Sequence, residues 1–289
     1  CGGAAFHHAH DQQAVIGGQA NLLAQIRNHR KQLCAQRGPA HPADGHQDQA
    51  GLGLTCTTVV APRGRSFLDR PEARNAIPLA GWDALAARLD EVADSSARAL
   101  VVTGAGGAFC AGADLKDFPA LNRDAALWAR FRTSMRAALD RLAGLAVPTI
   151  ARIDGACYGA GVALAMACDI RFASETARFA ITPAKLGISY PQEDVHRLVA
   201  LVGPGHAARL LLTATSIDAA EAARIGLVEL VGADEAPLLD AILANAPESL
   251  TALKQAIRLD CVADAGQDER FDALIAGRTL TARLEALGR

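Results

Sequence analysis

Short apolar runs recur along the chain after about residue 55, and they predict buried strands. Such runs, bounded by small or polar residues, are typical of strands that are covered on both faces. They stand at residues 55–60, 99–104, 148–155, 170–174 and 177–181. Because helical patterns separate several of these runs, the sequence predicts an α/β domain.

Apolar residues spaced three and four apart predict the helices. The predicted helices cover residues 78–96, 125–145, 160–169, 192–202, 205–213 and 216–228, with further helical segments from about 235 to 287. Since no strand is predicted after residue 181, the carboxyl-terminal part of the chain is expected to be mainly helical.

The first fifty residues differ in composition from the rest of the chain. They contain six of the eight histidines, with many Gln, Ala and Gly, and residues 37–51 resemble a linker. A stretch of this composition buries little apolar surface. We therefore expect residues 1–52 to be a flexible or foreign extension, and we expect no metal site.

Charge and cysteine content narrow the function classes further. The net charge is −2 and no block of Lys or Arg appears, which argues against a nucleic-acid partner. No apolar run approaches the roughly 18 residues of a membrane span. The seven cysteines are irregularly spaced without a C-x-x-C pair, and no signal peptide is recognisable, so we expect reduced thiols in a cytoplasmic protein.

Two glycine-rich turns fail the dinucleotide-binding pattern. After Gly104 and Gly106 the third glycine is replaced by Phe109, and Leu164 stands at the equivalent place in residues 159–164. P-loop, H-E-x-x-H and G-x-S-x-G motifs are also absent from the sequence. These turns therefore do not indicate a nucleotide cofactor.

The same two turns have a second feature in common, which is that their side chains are nearly all small. In residues 108–115 a strand leads into such a turn, and in residues 154–169 the turn opens a helix. Small residues leave backbone N–H groups accessible, and a helix start favours an anion. The two turns could form an oxyanion hole; tight packing of strand against helix is the alternative interpretation.

Four segments together resemble the crotonase, or enoyl-CoA hydratase/isomerase, superfamily. They are LDRPEARNAI (68–77), AFCAGADL (108–115), IARIDGACYGAGVALAMACDIRFAS (150–174) and IDAAEAARIGLV (217–228). The resemblance implies a ClpP-like spiral of ββα repeats over residues 53–205. It also implies a helical oligomerisation region over residues 206–289, which would assemble a homotrimer or a hexamer.

The resemblance also implies a site for an acyl-CoA thioester. The N–H groups of Ala113 and Ala160 would form the oxyanion hole and hold a thioester enolate. Coenzyme A would enter only as part of the substrate, with no permanently bound cofactor. The residues expected along its path and in the adjoining loop are Arg74, Ala76, Ala111, Gly112, Asp114 and Leu115.

The chain departs from the family pattern where hydratases carry two glutamates, because Ala163 and Pro183 occupy these positions. The nearby replacements are Tyr190, for orienting substrate or relaying a proton, and Glu193 or Asp194 as acid/base. Residues 182–190, TPAKLGISY, resemble the methylmalonyl-CoA decarboxylase branch.

Three functions remain open. The expected one is a hydratase/isomerase-family enzyme that works through an enolate without the usual pair of glutamates. The alternatives are a malonyl-type CoA decarboxylase and a non-catalytic protein that binds CoA esters.

Overall fold

The computed structural model describes residues 64–258, 265–275 and 277–286. The chain divides into two units, Cys1–Gln49 and Ala50–Arg289, and every described residue belongs to the second. The predicted strand at residues 55–60 and the predicted extension over residues 1–52 lie outside the described residues.

Strands and helices alternate through the first part of the described chain. The strands are β1 (Gly64–Leu68), β2 (Leu100–Gly104), β3 (Thr149–Ile153), β4 (Ala156–Tyr158), β5 (Ile170–Ala173), β6 (Arg178–Ala180), β7 (Ile217–Asp218) and β8 (Leu230–Val231). The helices are α1 (Leu79–Ala93), α2 (Phe118–Leu121), α3 (Ala125–Gly144), α4 (Ala160–Ala167), α5 (Gln192–Thr213), α6 (Ala219–Arg224), α7 (Ala236–Leu243), α8 (Pro247–Arg258), α9 (Ala265–Ile275) and α10 (Arg278–Ala286).

The main sheet is parallel and is covered on both faces. Its strand order is β1-β2-β3-β5-β8, and a second sheet has the order β4-β6-β7. Leu100 and Val102 of β2 join the large core that contains the buried side chains of α1, α3 and α4. Val101 faces the opposite side, where it packs with Leu239 of α7. Because the paired strands run parallel, the loops that follow β1, β2 and β3 meet at one edge of the sheet.

Most predicted elements are present, and two of them differ for local reasons. The strand predicted over 148–155 shortens to β3, and β4 begins after Gly155, whose φ of +53° turns the chain into the second sheet. The helix predicted over 216–228 shortens to α6, since the Asp218 side chain accepts a hydrogen bond from Glu221 N at its start and Gly226, with φ +82°, follows its end.

The two helices predicted over residues 192–202 and 205–213 are both present within α5, where the non-helical residue Gly203 separates them. Gly203 has φ +74° and Pro204 follows it. The expected boundary between core and oligomerisation region, at residue 205, stands just after this break and stays a prediction. Strands β1, β4, β7 and β8 were not predicted, and the expectation of no strand after residue 181 is wrong. β7 and β8 have only two residues each, too few for an apolar pattern, and they form by pairing with β6 and β5.

Candidate functional site

The loop between β2 and α2 is held on both sides by neighbouring loops. On one side Ala111 N donates to Arg74 O and Ile77 N donates to Gly112 O, at 2.9 and 2.8 Å. On the other side Cys110 N donates to Ala156 O, at 2.9 Å. The backbone of residues 110–114 is thereby fixed between the loops that follow β1 and β3.

Within residues 110–114 these hydrogen bonds leave one backbone donor unused. Cys110 and Ala111 donate as described above, Asp114 N donates to Ile77 O at 3.0 Å, and Gly112 N donates to Cys110 Sγ at 3.4 Å. Within residues 64–258 nothing accepts a hydrogen bond from Ala113 N. The first of the two predicted oxyanion donors is therefore available to a ligand.

The second predicted donor lies at the start of α4. Gly159 precedes this helix with φ +51° and provides no side-chain cap. Among the described residues nothing accepts a hydrogen bond from Ala160 N. The partial positive charge of a helix start adds to the attraction that this N–H exerts on a negative oxygen.

Gly112 lies close to the start of α4. A Cβ built on Gly112 would stand 3.3 Å from Ala160 N and 2.8 Å from Tyr158 O. Its φ of +104° is a further condition that favours glycine. The residue before Ala113 therefore packs against the start of α4, and the oxyanion hole formed by Ala113 N and Ala160 N stays a prediction.

The residues expected along the coenzyme A path surround this loop. Arg74 is exposed and has a left-handed backbone, with φ +49°. Ala76 and Ala111 are half-buried, and Gly112 is buried. Leu115 is exposed over 56% of its surface. The exposure of Arg74 is compatible with a phosphate contact, which stays a prediction.

Asp114 is buried and holds the loop instead of facing solvent. Its Oδ2 accepts from Arg70 Nη1 at 3.0 Å, and its Oδ1 accepts from Lys116 N at 3.1 Å. Burial alone would raise the pKa of this carboxyl, but the hydrogen bonds from Lys116 N and Arg70 outweigh burial and lower it. Asp114 is therefore ionised at neutral pH and fixes the chain next to Ala113.

Tyr190 reaches the same helix start as Ala160. Its hydroxyl donates to Gly159 O at 3.0 Å. Burial, followed by the negative charge of Asp194, raises the pKa of this phenol well above its ordinary value. Tyr190 is therefore a neutral hydroxyl beside Ala160 N, the second predicted donor.

The two acidic candidates of α5 lie in different surroundings. Glu193 is exposed, whereas Asp194 has no exposed surface and contacts Arg136 Nη1 at 3.0 Å and Arg197 Nη1 at 3.3 Å. Asp194 Oδ2 has no hydrogen-bond partner in the described part of the chain. Burial raises the pKa of Asp194 despite the two guanidinium groups.

The positions of the two family glutamates offer no proton-transfer group. Ala163 is buried inside α4, and Pro183 is half-buried at the start of a short 3-10 turn, Pro183–Leu186. Cys110, which lies in the loop itself, is no substitute, because burial raises the pKa of its thiol to about 12.

Arg70 and Asn75 are two polar residues of the loop after β1 for which the sequence predicted no role. Arg70 Nη1 donates to Ala76 O at 2.6 Å and to Asp114 Oδ2. The Asn75 amide lies between the loops that follow β1 and β2. The segment LDRPEARNAI contained the signal, since an isolated Asn next to an expected turn often occupies a left-handed position.

The described ranges contain neither a cluster of metal ligands nor a membrane-spanning helix. No group of three His, Cys, Asp or Glu side chains there could hold a metal ion. In those same ranges no helix combines the length and apolar character that crossing a bilayer requires.

Comparisons with known proteins identify the family of this chain. A family model described as enoyl-CoA hydratase/isomerase matches residues 67–284. A short-chain-enoyl-CoA hydratase of Clostridium acetobutylicum is 36% identical over 201 residues, which cover 66% of this chain and 75% of that protein. An enoyl-CoA isomerase/hydratase of Penicillium crustosum is 37% identical over 175 residues, which cover 58% of this chain and only 20% of that longer protein.

A solved structure extends the likeness to the fold. The crystal structure of an enoyl-CoA hydratase/isomerase family protein from Hyphomonas neptunium superposes with a TM-score of 0.77 at 32% identity. The match covers 82% of this chain and 96% of that one. The fold is the predicted crotonase fold, a parallel sheet with packed helices, and the chain belongs to the enoyl-CoA hydratase/isomerase family.

Proposed function

We propose that this chain is an enzyme that acts on an acyl-CoA thioester and stabilises its enolate between Ala113 N and Ala160 N. The observation that carries the proposal is the pattern of hydrogen bonds around residues 110–114. That pattern uses the neighbouring donors and leaves Ala113 N free beside the start of α4. Two preorganised donors at one point suit the charge that develops on a thioester oxygen.

Ordinary hydration by two glutamates is not part of the proposal. Addition of water needs one group to activate water and another to protonate the α-carbon. Ala163 and Pro183 can do neither. Tyr190 orients the substrate or relays a proton; of the two acid/base candidates, Asp194 is better supported than the exposed Glu193, because it is buried and its charge acts on Tyr190.

Decarboxylation of a malonyl-type CoA ester is the second candidate. The bond between the α-carbon and the carboxylate carbon breaks, carbon dioxide leaves, and the electron pair forms the enolate, which then takes a proton. This reaction needs the oxyanion hole but no carboxylate base to form the enolate. The residues at positions 163 and 183, together with the likeness of residues 182–190 to the methylmalonyl-CoA decarboxylase branch, support it.

The proposal also covers the role of coenzyme A, the oligomeric state and the cellular compartment. Coenzyme A is part of the substrate, with the exposed Arg74 near its phosphates. The active form is a homotrimer or a dimer of trimers. The buried free thiols of Cys110, Cys157 and Cys168 support work in the cytoplasm, where thiols stay reduced.

Turnover of three substrates, offered side by side, tests the proposal. They are crotonyl-CoA for hydration, a 3-enoyl-CoA for isomerisation and methylmalonyl-CoA for decarboxylation. We expect turnover of the second or third, and hydration of crotonyl-CoA at least about a hundredfold slower than by a two-glutamate relative, since a positioned acid/base contributes at least that factor.

Two outcomes would contradict this expectation. Fast hydration of crotonyl-CoA would mean that another pair of residues activates water. Binding of all three esters without turnover of any would favour the non-catalytic alternative over both reactions.

A further inference from the structure

Asn75 connects the loop after β1 to the loop after β2 through its side chain. Its Nδ2 donates to Ala105 O at 2.8 Å and to Ala108 O at 2.7 Å, and its Oδ1 accepts from Arg70 N at 2.8 Å. The residue is only 1% exposed. Both donors of the amide are therefore used, and both join it to the loop that carries Ala113.

The backbone at Asn75 also has an unusual conformation. Arg74 has φ +49° and Asn75 has φ +58°, so two consecutive residues other than glycine are left-handed. Asn tolerates this conformation better than most residues. The surroundings are also tight, because a Cβ built on Gly104 would lie 2.6 Å from Asn75 Nδ2.

The turn at Asn75 determines which N–H groups of the next loop are used. Because the chain reverses there, Arg74 O accepts from Ala111 N and Ile77 O accepts from Asp114 N. Between these two bonds Ala113 N is left without an acceptor among the residues described. A relaxed turn would change the position of both carbonyls and hence the direction of Ala113 N.

We propose that Asn75 is a positioning residue for the oxyanion hole: its amide fixes the left-handed turn that aims Ala113 N at the thioester oxygen. This role rests on the proposed function, since it presumes that Ala113 N meets that oxygen. Asn75 acts through the backbone and does not itself touch the substrate.

Three variants separate the parts of this role. Asn75→Gly keeps the left-handed conformation but removes the side chain, and Asn75→Ala removes both. Asn75→Asp keeps the size and the acceptor for Arg70 N but removes the two N–H donors. Thr149→Val is the matched control, because Thr149 is also fully buried and its hydroxyl donates to Asp169 Oδ2 at 2.9 Å in another part of the sheet.

The readout is the absorption of 4-(dimethylamino)cinnamoyl-CoA bound to the full chain. Polarisation of the thioester carbonyl by two donors shifts this absorption to longer wavelength. We expect the shift in the unmodified chain and in Thr149→Val, and its loss in all three Asn75 variants. The kcat on whichever ester the enzyme uses should fall about 10²- to 10³-fold, as for the loss of one oxyanion donor, with KM changed much less.

The outcomes distinguish this inference from the function on which it rests. If the unmodified chain binds the probe without a shift, the proposed oxyanion hole is wrong and Asn75 has no such role. If the unmodified chain and folded Asn75→Gly or Asn75→Asp give equal shifts, only the role of Asn75 is overturned. Should Asn75→Ala fail to fold, the Gly and Asp variants give the same decision.

Discussion

At the scale of single residues, the candidate site depends on positions that lack a side chain. Gly112 is the clearest example, because a Cβ there would press on Tyr158 O at 2.8 Å. Gly107 has a comparable left-handed conformation, with φ +77°, but a Cβ there would meet nothing within 4 Å. Comparing the two glycines therefore distinguishes the cost of a left-handed conformation from the cost of a side chain pressed against a neighbouring segment.

Replacing each glycine by alanine tests that distinction. Gly107→Ala should cost only the strain of a left-handed residue, about 1–2 kcal/mol in the free energy of unfolding, and should keep turnover of the acyl-CoA substrate. Gly112→Ala should cost more and should lower kcat strongly, because the loop must move away from α4. Denaturant unfolding and steady-state kinetics measure both. Equal effects of the two variants on kcat would contradict the close approach.

The ion pair of Asp114 predicts a pH dependence of stability. The pKa of this carboxyl is lowered from its ordinary value of 3.8, so the folded state binds the proton less tightly than the unfolded state. The stabilisation is present above the ordinary value and is lost as the pH falls through the lower folded-state pKa. In Asp114→Asn the free energy of unfolding should decrease less between pH 5 and the acid limit. An unchanged acid dependence would contradict the ion pair.

At the scale of elements, a buried ion pair joins α3 to α5. Arg136 of α3 contacts Asp194 at 3.0 Å, and Asp194 has no exposed surface. An ionised carboxyl in such a place depends on its cation. The contact therefore fixes the first turn of α5, which follows Tyr190 directly.

Arg136→Met should weaken this contact between the helices. Removing one partner of a buried pair costs about 3–5 kcal/mol, and the lower end is expected here because Arg197 remains 3.3 Å from Asp194. Arg141→Met on the same helix is the control, since Arg141 and its partner Asp90 are exposed and such a pair contributes only about 0–1 kcal/mol. If both variants lose the same free energy of unfolding, measured by heat or denaturant, the buried ion pair contributes no more to stability than the exposed one.

The sequence predicted these elements better than it predicted how they begin and end. Apolar periodicity was sufficient for α1, α3 and β2, because each buries one continuous set of apolar residues. Apolar periodicity missed β4, since the pairing of this strand after the turn at Gly155 depends on β6, which lies more than twenty residues away. The same limit applies to the site: Ala113 and Ala160 followed from motifs, whereas Asn75 acts through contacts with distant carbonyls that no local pattern shows.

At the scale of the whole molecule, the carboxyl-terminal helices present apolar side chains to solvent. Leu253 and Ile257 of α8, Phe271 and Ile275 of α9, and Leu284 of α10 are all exposed. Leu253 and Ile257 are four residues apart and so share one face of α8. An exposed apolar surface of this kind fits the predicted oligomerisation region.

Light scattering tests the predicted assembly. The unmodified chain should have the mass of a trimer or a hexamer at micromolar concentration. Ile257→Asp should lower that mass, because it buries a charge in the contact, whereas Ala87→Asp on the exposed side of α1 should not. A stable monomer of the unmodified chain would contradict the predicted trimer.

The most direct test of the oxyanion hole is the infrared spectrum of butyryl-CoA labelled with ¹³C at the thioester carbonyl. This saturated ester has no double bond to hydrate, so the bound carbonyl can be observed at equilibrium. If Ala113 N and Ala160 N donate to it, its stretching band should move to lower frequency on binding. The move should shrink in Ala160→Pro, which removes one donor, while free CoA still binds. A bound carbonyl whose band stays where it is in water would contradict the account.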